Sequence, residues 1–249
     1  MIQFVIMGMV VGGFVTIGHR VMSRGQTPEA QATNRTFGLF WLAAAGIDAI
    51  IAIFAALDAS GVVNPLLIHT LMNAAVVLAS VGLWGISYYL AYLYTGDVRW
   101  FSRLAMLFGA VAVVNLYLVG VLGPQATLRQ TANLVVPDLD YVSLGDVIAA
   151  AGLLAIGPLV LVVSVYLALL SKGLGASQRR RVVLFAAALA AWGLAMLSYI
   201  LAVAGSQSAL LLPAFAVCSL ASAGCGMLAL ATPPGRRQWR VGLSHPLWR

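Results

Sequence analysis

The chain has 249 residues, of which 62% are hydrophobic and only 8% are charged, and its mean hydropathy is +0.98. A chain this apolar cannot hide its surface in a water-soluble globule, so the composition excludes an ordinary soluble domain. The formal net charge of +7 comes mainly from residues between apolar runs, which is a topology signal rather than evidence for nucleic-acid binding. We therefore expect the lipid bilayer to be the main partner, and no nucleic acid.

Seven apolar runs are long enough to cross a bilayer, which takes about 20 residues per helix. They cover residues 2–19, 37–58, 65–93, 101–122, 146–171, 181–204 and 207–231. The runs are continuous, whereas the strands of a membrane barrel are about ten residues long and alternate polar with apolar positions. The sequence thus predicts an all-α polytopic membrane protein, with one transmembrane domain over residues 1–249 and a basic cytoplasmic tail at 232–249.

Positive charge predicts how the chain is oriented. All of the 14 Lys and Arg residues except Arg129 follow the first, third, fifth or seventh run. Because short cytoplasmic loops are enriched in Lys and Arg, this pattern predicts an outside N-terminus and a cytoplasmic C-terminus. Lys172 is the single lysine, and the preference for Arg favours a bacterial source. We expect the protein in the bacterial plasma (inner) membrane.

The second run contains Asp48 near its middle, in AAAGIDAIIAIF. An ionised carboxylate at this depth costs about 3 kcal/mol on insertion scales, so it must pair, contact water or be protonated. A protonatable Asp suits proton coupling or cation binding, and the structural alternative is a neutral Asp that hydrogen-bonds a neighbouring helix. Asn115 in the fourth run is a second candidate for proton or ion coupling, and Ser198 with Tyr199 would extend a polar path.

The third run carries a stripe of polar and aromatic residues. His69, Asn73, Ser80, Trp84 and Ser87 are 4, 7, 4 and 3 residues apart, so they share one helical face. We expect this face to point into the bundle. A histidine followed one turn later by an asparagine could ligate a haem or a metal, accept a proton or donate to a quinone. Interhelical packing by the same polar residues is the structural alternative.

Residues 68–96, IHTLMNAAVVLASVGLWGISYYLAYLYTG, resemble the haem-ligating helix of haem-copper oxidase subunit I and its small relatives. In that family an outer-side histidine begins an inward-running helix that ends near paired aromatic residues. The resemblance implies that His69 matches a haem-iron ligand and that haem b is the cofactor. It covers about thirty residues, and the family's further histidine ligands, including those for copper, have no counterparts here. It therefore does not extend to a complete oxidase centre.

Residues 123–146 form the longest segment between two apolar runs, and they hold Asp138, Asp140 and Asp146. We consider three roles for this segment: a short lid on the outer surface, a contact for a partner or a cation, and a plain connection between two spans.

The sequence contains no recognisable nucleophile–base pair, phosphate loop, zinc signature or nucleotide fingerprint. We therefore expect no catalytic residues, no metal site and no catalytic centre of the chain's own. The first hypothesis is an integral subunit of a larger bacterial membrane complex, such as one of respiration or electron transport, that packs against other subunits or itself and has a structural or haem/quinone-pocket role. The second is a small-solute or proton-coupled transporter that uses Asp48. The third is a seven-span membrane sensor.

Overall fold

The computed structural model describes residues 2–24, 27–62, 64–121, 127–131, 133–138 and 144–231. Within these residues the chain forms seven long α-helices and one β-hairpin. The helices are α1 (Ile2–Met22), α2 (Pro28–Ser60), α3 (Pro65–Thr95), α4 (Trp100–Val121), α5 (Leu144–Leu170), α6 (Ala176–Val203) and α7 (Leu211–Ala231). All seven are long and apolar enough to cross a membrane, which confirms the prediction of a seven-helix membrane protein. The predicted tail at 232–249 lies outside the described residues.

Helix α2 begins at Pro28 rather than at residue 37. Its first turns are polar, and an N-cap like those of soluble helices stabilises them. Thr27 is the N-cap, and its side chain accepts a hydrogen bond from the Ala30 N–H at 3.2 Å. Pro28 occupies the first turn, where its missing N–H costs nothing. Gly61 ends the helix with φ at 67°, a left-handed conformation that favours glycine. Hydropathy finds only the apolar part of such a helix.

Helices that are neighbours in sequence pack against each other, and α1 also packs against α7, while α3 also packs against α5. The backbones of α2 and α3 approach each other very closely. A Cβ atom on Gly85 would lie 2.6 Å from the Thr36 carbonyl oxygen and 3.3 Å from the Phe40 nitrogen. Only glycine allows this spacing, as is common where membrane helices pack closely.

The bundle has two ends, which we name by what lies there. At the hairpin end, the first residues of α1 and the last residues of α6 contact the hairpin. At the arginine end, α1 stops and α6 starts, and the side chains of Arg20, Arg24 and Arg181 lie near one another. Helix α3 runs from the hairpin end to the arginine end.

The hairpin pairs β1 (Thr127–Thr131) with β2 (Leu134–Asp138) in antiparallel register, with Thr131 opposite Leu134. Asn133, in the connecting turn, has φ at 64°, a conformation that asparagine tolerates. No strand was expected in this segment. The remaining residues between 122 and 143, including Asp140, lie outside the described residues.

The hairpin is inserted into the end of the bundle rather than lying on its surface. Leu134, Val135 and Val136 are all buried, and β2 packs against α2 and α6. The Arg129 guanidinium donates to the Val203 carbonyl at 2.6 Å and lies 3.2 Å from the Asp138 carboxylate. The hairpin therefore fills this end of the bundle between α2 and α6, and the role of the segment as lid, contact or connection stays a prediction.

Candidate functional site

Asp48 is the most unusual residue in the described part of the chain. Its side chain lies on the buried face of α2 with 0% of its surface exposed. Neither carboxyl oxygen has a hydrogen-bond partner among the described residues. Buried polar groups are nearly always hydrogen-bonded, so an orphaned carboxyl requires an explanation such as an exchangeable ligand, water or proton.

The nearest polar side chain comes from α6, where the indole of Trp192 lies beside the Asp48 carboxyl. The two groups do not meet at hydrogen-bond geometry, since the Trp192 Nε1–H has no acceptor among the described residues. Trp192 is itself fully buried and packs edge-on against Phe40, with 5.4 Å between ring centroids. The carboxyl and the indole donor therefore lie within reach of each other, and a small adjustment would complete a hydrogen bond between them.

Ser219 on α7 is a third buried group, with 0% exposure and no hydrogen bond to its hydroxyl from the described residues. Its height in the bundle follows from its neighbour Ser222, whose hydroxyl donates to the Ala188 carbonyl of α6 at 2.8 Å. Because α6 and α7 run in opposite directions, one turn from Ser222 to Ser219 corresponds to one turn from Ala188 to Trp192. Ser219 on α7 thus lies at the height of Trp192. We call Asp48 and Trp192 the buried carboxyl site.

Aromatic rings close this site on the side of the arginine end. The Phe40 ring packs against both Trp192 and Trp41, and Trp41 packs against Phe14 of α1 at 5.0 Å between centroids. All four rings are fully buried. The Trp41 Nε1–H is a further donor without an acceptor in the described part of the chain. This aromatic floor surrounds the carboxyl on that side with buried apolar rings, which keep its surroundings at low dielectric.

The opposite side of the site is covered by the hairpin. Gln3 of α1 is 5% exposed, and its amide accepts from the Val135 N–H at 3.0 Å and donates to the Val135 carbonyl at 3.5 Å. The Tyr199 hydroxyl of α6 donates to the same carbonyl at 3.3 Å. One residue of the hairpin is therefore held by two helices. Tyr199, expected in a polar path with Asp48, instead anchors the hairpin.

The stripe on α3 lies along the border with α4. Ser80 is buried and bonds its own helix, donating to the Val76 carbonyl at 3.0 Å, whereas His69, Asn73 and Trp84 are half-buried. The Trp84 ring packs edge-on against Phe101 of α4 at 5.2 Å. At Trp84 the stripe therefore faces α4 rather than the buried carboxyl site on α2 and α6.

A haem held by two histidines of this chain does not fit the described residues. His69 lies at the hairpin end of α3, and His19 is exposed at the arginine end of α1, so the two are separated by the thickness of the bundle. His69 supplies at most one axial ligand, and the Asn73 Oδ1, one turn away, has no partner among the same residues. Across the described ranges, no three His, Cys, Asp or Glu side chains are grouped so as to hold a metal ion.

Asn115 is buried on α4, with 6% exposure. Helix α4 packs against α3 and α5, so Asn115 lies on the same side of the bundle as the α3 stripe. The role of Asn115 as a second candidate for proton or ion coupling stays a prediction. The sequence did not identify Trp192 as a neighbour of Asp48, since an indole in an apolar helix gives no sequence signal of its own. It also did not identify Ser219 as a candidate, because no base that could pair with this serine is recognisable in the sequence.

The seven apolar helices and the buried ionisable residue define a polytopic integral membrane protein with an intramembrane carboxyl site. Comparison with protein-family models, with curated proteins and with solved structures finds no match of any kind. The residues of the chain itself are therefore the basis for a proposed function.

Proposed function

We propose that the protein is a proton-coupled transporter of a small solute, and that Asp48 is the group that takes up and releases the proton. The observation that carries the proposal is the fully buried carboxyl with no hydrogen-bond partner among the described residues. A charged carboxylate without a partner is too costly at this depth, so Asp48 is neutral while the site is closed. It can ionise only when water, a cation or a solute reaches it.

The donors around Asp48 suit this cycle. The Trp192 Nε1–H and the Ser219 hydroxyl have no partner among the described residues in the closed state. When the carboxyl loses its proton, both are available to donate hydrogen bonds to the carboxylate or to a bound solute. A small movement of α6 relative to α2 would let the Trp192 indole donate to the carboxylate, and Ser219 on α7 is a further donor for a bound solute. Hydrogen bonds to a charged acceptor are roughly twice as strong as neutral ones, so the ionised state gains what the closed state lacks.

Access from the hairpin end requires the hairpin to move. Its buried residue Val135 is held by the hydrogen bonds with Gln3 and Tyr199, which are few enough to break and re-form. With the outside N-terminus that the basic loops predict, this end faces away from the cytoplasm. The hairpin then acts as the outer gate and the aromatic floor as the inner barrier.

Proton movement in proteoliposomes tests this proposal even though the solute is not identified. The wild-type chain is reconstituted with a trapped pH-sensitive dye and challenged with a panel of amino acids, sugars, organic acids and amines. We expect at least one solute gradient to drive a pH change, and Asp48→Asn to abolish it. Glu29→Gln is the matched control, because Glu29 lies on the same helix, is exposed, and sits in its first turn at the end away from the hairpin.

The result against the proposal is equal solute-driven proton movement in Asp48→Asn and wild type. Loss of movement in both variants would show only that changes to α2 disturb the fold, and it would also remove the support for Asp48 as the specific coupling group.

A second function has one observation in its favour. Only 6% of the apolar stretch Trp100–Tyr117 of α4 is buried within the chain. On the neighbouring helix α3, the Asn73 Oδ1 and Trp84 Nε1 atoms have no hydrogen-bond partner among the described residues. A neighbouring subunit of a larger membrane complex that packed on α4 would cover this exposed apolar surface. Crosslinking from a photoreactive residue at Met106, which is 69% exposed, should then capture one defined partner, and crosslinks to lipid alone would count against it.

A further inference from the structure

Three arginines meet at the arginine end of the bundle. Arg20 and Arg24 are one turn apart, in the last turn of α1 and just after it, and Arg181 comes from the second turn of α6. The charge of Arg20 acts on Arg24, and that of Arg24 acts on Arg181. Like charges in such proximity repel, so a fold that holds them together needs a compensating negative group.

That group is not a carboxylate of the described residues. Their ion pairs are Arg99 with Asp97 and Arg129 with Asp138, and neither involves Arg24 or Arg181. The tail at 232–249 contains no Asp or Glu, so it brings no acidic side chain to this end. Within the part of the chain that the structure describes, the cluster thus has no carboxylate partner, and an anion from outside the chain can supply the negative charge.

Arg24 is fixed in place and still has a donor to offer. Its Nη2 donates to the Leu230 carbonyl at the end of α7 at 3.4 Å, and the Asn34 amide donates to the Arg24 carbonyl at 2.7 Å. Its Nη1 is buried and has no partner among the described residues. Partial burial, followed by the charge of Arg20, lowers the pKa of Arg24. A partly desolvated guanidinium that a neighbouring cation repels is stabilised by an anion beside it.

Arg181 approaches the same place from α6. Its guanidinium lies over the Phe185 ring, 5.9 Å from the centroid, and the side chain is half-buried. Val183, two positions further along α6, is 41% exposed. The arginine thus lies where charged side chains give way to exposed apolar ones on the same helix, which is the boundary between lipid headgroups and acyl chains.

We propose that Arg24 and Arg181 bind the phosphate of one anionic membrane lipid, with its acyl chains along the exposed apolar surface of α6. Guanidinium groups bind phosphate oxygens in a bidentate manner, and two of them from different helices match the several oxygens of a phosphodiester. A lipid is favoured over free phosphate because the arginines lie at the end of the membrane-crossing part of their helices, next to exposed apolar side chains. Arg20, which is exposed, adds to the attraction.

The test uses the full chain in a neutral detergent, titrated with phosphatidylglycerol and with phosphatidylcholine and followed by native mass spectrometry. The test variant is Arg24→Gln with Arg181→Gln. The control is Arg99→Gln with Arg103→Gln, which removes the same charge at the same end from exposed positions, the Arg99 side chain being 85% exposed. We expect retention of one phosphatidylglycerol to fall about tenfold or more in the test variant and less than about twofold in the control.

Equal losses in the two double variants would overturn the proposal, because they would show diffuse attraction instead of a site. Equal retention of phosphatidylcholine by the wild type would overturn it as well. Displacement of the lipid by inorganic phosphate at comparable concentration would also overturn the proposal, because the site would then bind a free anion rather than a lipid. If the test variant does not fold, Arg24→Lys with Arg181→Lys takes its place: it keeps both charges but loses the bidentate geometry, and undiminished retention would count against the site.

Discussion

Replacing Asp48 by alanine should stabilise the fold, which is the reverse of what is normal for a fully buried residue. Two carboxyl oxygens are buried without hydrogen bonds from the described residues, and a buried polar group left unpaired costs about 1–3 kcal/mol. The loss of packing from so small a truncation is about 1 kcal/mol, on the scale of one buried methylene group. The balance favours Asp48→Ala by up to about 2 kcal/mol in the free energy of unfolding.

Asp58→Ala is the matched comparison on the same helix and should shift stability the other way. The Asp58 carboxylate accepts a hydrogen bond from the Gln130 amide at 2.6 Å, and the loss of such a bond costs about 0.5–1.5 kcal/mol. Both variants can be measured by reversible unfolding in mixed micelles with increasing sodium dodecyl sulfate, followed by tryptophan fluorescence. A destabilisation by Asp48→Ala equal to or larger than that by Asp58→Ala would mean that the Asp48 carboxyl is bonded in the native state. The basis of the site would then be lost.

Two further variants test the helix packing and the hairpin. Gly85→Ala should destabilise the fold by about 1–3 kcal/mol, because its Cβ would lie 2.6 Å from the Thr36 carbonyl oxygen. Gly82→Ala, whose Cβ would have its nearest contact at 3.4 Å, should be neutral in the same unfolding assay. Equal effects of the two variants would refute the close approach of α2 and α3. Gln3→Leu removes both side-chain hydrogen bonds to Val135. It should speed amide hydrogen exchange in β2 by about tenfold or more and leave exchange in the middle of α6 unchanged. Unchanged exchange in β2 would show that Gln3 does not hold the hairpin.

The seven helices were predictable because hydropathy over about 20 residues is a direct physical requirement of the bilayer. Their ends were less so, since α2 continues to Pro28 through polar turns that depend on the Thr27 cap. The hairpin was not predicted, because the buried run at 134–136 is too short to distinguish a strand from a connecting loop.

The candidate site was predictable only in part. Asp48 stands out in any apolar helix because of the cost of its charge. Its neighbour Trp192 could not be identified, since the contact depends on which faces of α2 and α6 meet. For the same reason the spacing from His69 to Ser87 predicts one helical face, yet the location of that face beside α4 depends on the packing of the whole bundle.

Infrared difference spectroscopy of Asp48 tests the central claim most directly. The protein, reconstituted in lipid, is compared at neutral and alkaline pH with Asp48→Asn as the reference that assigns the band. At neutral pH we expect a band from the carbonyl stretch of a protonated carboxyl. This band should be absent from Asp48→Asn, and it should be lost when the site opens and the proton leaves. A carboxylate signal from Asp48 at neutral pH would contradict this claim, because a charged Asp48 would need a permanent partner and could not be the group that exchanges the proton.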